Sequence, residues 1–153
     1  MIPTTTMRVP GQTAGHVNES IRCSTEANIA RYAAAGPEAI HRRLEELDRE
    51  WDIERTLEAN AATVALVGLG LGTFVDRRFY LLPAAVTGFL LQHAVQGWCP
   101  PVPVFRRLGF RTASEIDEER YALKALRGDF RGVPATMAHD PGMVGRALEA
   151  VRR

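Results

Sequence analysis

The chain has 153 residues and a formal net charge of +1. That length suits one domain, and so small a charge excludes a field that would attract nucleic acid or acidic partners. Hydrophobic residues make up 46% and charged residues 24%, an ordinary soluble average that hides an uneven placement of charge.

Residues 1–17 are rich in Thr, Pro and Gly, lack periodicity and lack the apolar core of a cleavable signal peptide. They read as a disordered tail. Residues 18–58 read as an N-terminal helical segment. Asn18 is a suitable N-cap for a short helix ending near Ala35, and Gly36-Pro37 punctuates the chain. Ile40, Leu44, Leu47 and Trp51 follow at helical spacing, opposite Arg42, Arg43, Glu46, Arg49 and Glu50. That narrow stripe fits a membrane surface, a partner helix or a soluble core equally well. His41 and Glu45 belong to a solvated polar face.

Residues 59–98 are the most informative. Ala59 to Val75 is 17 residues without charge, about 25 Å as a helix. Phe79 to Trp98 is 20 residues without charge, about 30 Å. Only Asp76, Arg77 and Arg78 lie between, so the two helices must be antiparallel neighbours. Both lengths fall within the range of a bilayer span. Ala61, Ala65, Gly68 and Gly72 share one helix face, and Ala84-x-x-x-Gly88 repeats the small-residue pattern that packs helices closely in lipid. Three glycines in five residues would cost a soluble helix about 1 kcal/mol each relative to alanine. The reading is a transmembrane helical hairpin whose partners are the lipid bilayer and a second copy of the chain, with no nucleic acid. Arg42, Arg43, Arg49, Arg55, Arg106, Arg107 and Arg111 flank the spans against Arg77 and Arg78 in the turn, which places both termini in the cytoplasm.

Residues 99–153 read as a C-terminal helical segment. Cys99-Pro100-Pro101-Val102-Pro103 cannot continue the second span. Phe105-Arg106-Arg107-Leu108-Gly109-Phe110-Arg111 suits a membrane interface. Thr112-Ala113-Ser114-Glu115 is a capping box for a helix to about Arg127, stopped by Gly128. Asp140-Pro141 opens a last helix with Val144, Leu148 and Val151 on one face. No strand pattern occurs. The fold class is therefore all-α, a two-helix transmembrane hairpin with flanking amphipathic helices.

Leu90-Leu91-Gln92-His93-Ala94-Val95-Gln96-Gly97-Trp98-Cys99-Pro100, followed by Phe105-Arg106-Arg107-Leu108-Gly109, resembles the YgaP-like inner-membrane domain family, a domain of unknown function. The resemblance covers about residues 45–111, and Gly97-Trp98-Cys99-Pro100 is its most specific part. It implies a small, dimeric hairpin in the bacterial inner membrane. Some relatives fuse the hairpin to a rhodanese sulfurtransferase domain. This chain contains none, so sulfur transfer is not carried over.

Antiparallel pairing puts Glu58, Asn60 and Thr63 level with Gln92, His93, Gln96 and Cys99. Asn60, Gln92, His93 and Gln96 form a candidate polar cluster. His93, Cys99 and Glu58 are weak metal candidates, because no recognised ligand spacing is present. Interhelical hydrogen bonding is the simpler role. Cys99 is the candidate reactive thiol, although a helix C-terminus disfavours the thiolate. No P-loop, GxSxG or HExxH motif occurs, and no cofactor is expected. The leading expectation is a non-enzymatic membrane protein. Two alternatives remain open: a membrane-bound thiol or sulfur-handling component acting through Cys99, and a soluble helical dimeric interaction module.

Overall fold

The computed structural model describes residues 3–133 and 141–152, and every element among them is helical. The chain forms two compact units, one of Met1–Cys23 with Trp51–Ile116, the other of Ser24–Glu50 with Asp117–Arg153. Each unit is assembled from stretches far apart in sequence.

The first unit contains the start of α1 (Gly15–Ala35), all of α3 (Ile53–Phe74), α4 (Leu81–Gln96) and α5 (Val102–Arg107), and the first turn of α6 (Ala113–Arg127). Asp52 starts α3 by accepting a hydrogen bond from Arg55 N at 2.7 Å. Asp76 likewise accepts from Arg78 N at 2.8 Å, fixing a 3-10 turn at Arg77–Tyr80 that leads into α4. Along α3, Ala61, Gly68 and Gly72 are buried and Ala65 is half-buried. A methyl group on Gly68 would lie 2.6 Å from Pro83 Cδ, and one on Gly72 would lie 2.7 Å from the Tyr80 ring. The glycines therefore let the α3 backbone approach the side chains of Tyr80, Leu82 and Pro83. Thr73 and Tyr80 close this end with a hydroxyl–hydroxyl hydrogen bond of 3.1 Å.

The core of this unit is Val9, Ile53, Leu57, Cys99 and Val102, against which Phe105 and Phe110 pack. The disordered tail expected over residues 1–17 is corrected here for the described residues 3–17. Pro10–Gln12 forms a 3-10 turn, Val9 is buried in the core, and α1 begins at Gly15. Apolar burial of Val9 and Val17 outweighs the unhelpful composition of the segment. Asn18 is not an N-cap; its side chain donates to Pro10 O at 2.9 Å and accepts from Arg106. The second apolar helix is also shorter than the uncharged run. It ends at Gln96, because Gly97 adopts a left-handed cap, and Val102-Pro103 opens the separate α5.

The second unit holds the rest of α1, α2 (Pro37–Arg49), most of α6, and α7 (Pro141–Arg152). The stripe of α2 is resolved as core, since Ile40, Leu44 and Leu47 are buried. Trp51 leaves it; the ring is 46% exposed, with the Arg55 guanidinium stacked 4.3 Å from its centre. Arg43 ties α2 to α6, donating to Glu119 at 2.7 and 3.2 Å and to Glu46 at 3.0 Å. Arg120 adds bonds to Asp48 and to Leu47 O. The capping box is realised, Glu115 N donating to Thr112 Oγ1 at 3.3 Å and Thr112 N to Glu115 at 2.8 Å. Gly128, at φ 92°, ends α6 as expected. On α7, Val144, Leu148 and Val151 are exposed and Ala150 is the buried residue. Asp140 lies outside the described residues.

Candidate functional site

The sites of chemical interest cluster where α3 begins and α4 ends. Gly97 closes α4 with its N–H on His93 O at 2.8 Å. The N-terminal segment crosses directly over this cap, and a methyl group on Gly97 would meet Arg8 O at 2.2 Å. Arg8 then reaches along the helix end, donating to Ala94 O at 3.1 Å and facing Glu54 at 3.7 Å. A carbonyl at a helix C-terminus needs such a donor, and the dipole favours a cation there.

Beneath Arg8, several buried atoms have no hydrogen-bond partner: Arg8 Nε, Glu54 Oε2 and both ring nitrogens of His93. Burial lifts the Glu54 carboxyl above the ordinary carboxylate range; Asp52 adds to this, while Arg8 and Arg106 oppose it. Buried polar groups without partners are uncommon.

Next to them sits a bidentate ion pair, in which Arg106 Nε is likewise without a hydrogen-bond partner. Arg106 is 1% exposed and holds Glu115 with both terminal nitrogens, at 2.6 and 2.7 Å. Its remaining bonds go to Phe110 O at 3.0 Å and Asn18 Oδ1 at 2.9 Å. Arg106 and Arg111 are thus buried, not displayed at an interface as their aromatic-rich context suggested. The bidentate fit of guanidinium to carboxylate makes burial tolerable.

On the other side of the core lies a cavity of about 220 Å³ bounded by Leu57, Ala61 and Val64 of α3, Val86 and Leu90 of α4, and Cys99. Asn60 and Cys99, expected at one level, both line this cavity. The members of the expected polar cluster differ in burial. His93 is buried, Gln92 is half-buried, and Asn60 and Gln96 are exposed. Of the metal candidates, Glu58 is exposed while His93 and Cys99 are buried, and no group of three metal-capable side chains occurs among the described residues. Ala84 and Gly88 are exposed, with nothing within 4 Å of a methyl group built on Gly88. The close contact to α3 is made one residue earlier, by Pro83. Arg8 and Glu54 went unread in the sequence. Arg8 sat in a stretch without pattern, and Glu54 reads as an ordinary first-turn acid.

Cys99 is 3% exposed, and burial pushes its thiol above the usual range against the Val102 N–H. A thiol that is both covered and protonated is a poor nucleophile. Its alkylation at pH 8 should be at least about tenfold slower than that of exposed Cys23 in the same folded chain, and equal to it after unfolding. Equal rates in the folded state would restore a reactive-thiol role. No family model, curated protein or solved structure matches the chain.

Proposed function

We propose that this chain is a small integral membrane protein in which α3 and α4 form a transmembrane hairpin, both termini lie on the cytoplasmic side, and the role is assembly, not catalysis. One observation carries the reading. The described residues include one helical stretch long and apolar enough to cross a membrane, and only 22% of its 18-residue apolar window is buried. The core helix of a water-soluble protein buries most of such a window. Here Leu66, Phe74, Leu81 and Leu91 are 69, 88, 73 and 68% exposed. Outward apolar surface on this scale calls for lipid or a partner. The 16 residues of α4 give about 24 Å, so the hairpin suits a bilayer thinned around it, with Tyr80 and Trp98 at the two headgroup levels. The bacterial inner membrane as its location is part of this proposal.

The hairpin also serves dimerisation. Gly68 and Gly72 are occupied within the chain, so the small-residue face open to a second copy is Ala84-x-x-x-Gly88. Alkaline carbonate washing of membranes from expressing cells tests the reading. Retention in the pellet, with release only by detergent and cross-linking to a dimer that Gly88→Leu abolishes, is the expected result. Recovery in the supernatant without detergent would sink the transmembrane reading and leave the exposed faces as the interface of a soluble dimer.

A further inference from the structure

We propose that the cavity between α3 and α4 receives the acyl chain of a membrane lipid, an inference that rests on the transmembrane reading above. At Gly68 α3 meets Leu82 and Pro83 of α4 without clearance, and at Gly72 it meets Tyr80 of the preceding turn; a methyl group has no room at either. Toward the opposite end of the pair they flank an open groove of about 220 Å³, floored by the Cys99-Pro100-Pro101 segment. Prolines hold that floor rigid, because φ is fixed and no N–H is available to rejoin the helix. Apart from the Asn60 amide and the Cys99 thiol, the side chains around the cavity are hydrocarbon. Walls so nearly devoid of polar groups favour an apolar guest over water.

Two observations select a lipid chain among apolar guests. A site for a heteroatom-bearing cofactor carries several convergent polar groups, whereas this cavity carries one amide. Its position along α3 also fits. Asn60 stands at the start of the uncharged run, with Glu58 exposed just before it and Arg55 a turn earlier. A chain seated along Ala61, Val64 and Leu90 therefore leaves its headgroup among polar side chains.

The test is titration of the detergent-solubilised full chain with cis-parinaric acid, a fluorescent fatty acid, against empty micelles as background. Wild type should show saturable binding of one probe per chain. Ala61→Trp, which fills the cavity, should weaken binding at least tenfold, and Val64→Phe should do the same should the first variant lose its helical circular dichroism. Leu66→Trp, exposed on α3 and not lining the cavity, should bind like wild type. Unchanged binding in both cavity variants, or no saturable binding by wild type, overturns the lipid site; if that protein stays in the carbonate-washed pellet, the transmembrane reading survives. Loss of the cross-linked dimer in Ala61→Trp with no change in probe binding would assign the cavity to a second copy and overturn the proposal. A chain soluble without detergent removes both readings together.

Discussion

Arg106→Met should lower the stability of the folded chain by about 3–5 kcal/mol. Methionine fills much of the same volume, so the loss reports charge, not a cavity. Glu115 would keep its bond from Thr112 N but lose both guanidinium contacts while remaining mostly buried. Phe110 O and Asn18 Oδ1 would lose their donor at the same time. Denaturant titration in mild detergent, followed by tryptophan fluorescence, measures the effect. Adding Glu115→Gln to the variant should recover part of it, because a neutral amide is less costly to bury than a lone carboxylate. The pair also carries a pH signature. Burial raises the Glu115 carboxyl, but hydrogen bonds from Arg106 and Thr112 outweigh this and hold it below the ordinary value of 4.5. A depressed folded-state pKa stabilises above the unfolded value, so the contribution is full above pH 4.5 and fades as the pH falls below it. In Arg106→Met that acid-side loss should be smaller. A cost below about 1 kcal/mol would mean that the surrounding packing, not the ion pair, holds this junction together.

Gly97→Ala should be nearly as damaging, at about 2–5 kcal/mol. Two separate effects add. A left-handed backbone costs an L-residue about 1–2 kcal/mol, and Gly97 sits at φ 80°. The new methyl group would also lie 2.2 Å from Arg8 O, and forcing apart a packed contact costs about 1–3 kcal/mol more. Gly109→Ala is the matched control, because Gly109 has φ 90° and nothing within 4 Å. It should show the backbone strain alone. In Gly97→Ala the N-terminal segment must lift, taking Val9 out of the core, so alkylation of Cys99 should quicken relative to wild type. Equal costs for the two substitutions would show that Arg8 does not press on the helix cap.

The elements that the sequence determined by itself are those governed by neighbours in the chain. Gly36-Pro37 separates two helices because of what glycine and proline do to their own backbone. Thr112 and Glu115 cap α6 because they are three residues apart, and Gly128 ends it. The uncharged runs on either side of Asp76, Arg77 and Arg78 became helices for the same local reason. Their small-residue face at Gly68 and Gly72 was legible because a period of 3.6 maps positions onto faces.

What only the tertiary structure decided depends on residues distant in sequence. Composition marked residues 1–17 as a tail, yet Val9 fills a core built from α3 and the segment after α4. Arg106 looked like an interfacial cation and is instead the buried partner of Glu115 and Asn18, the latter 88 positions away. The unpartnered atoms of Arg8, Glu54 and His93 meet only because the N-terminal segment crosses the end of α4. Local pattern reports which face of a helix is apolar. Whether that face meets lipid, a neighbouring helix or a returning strand of chain is set by long-range burial, and burial leaves no period in the sequence.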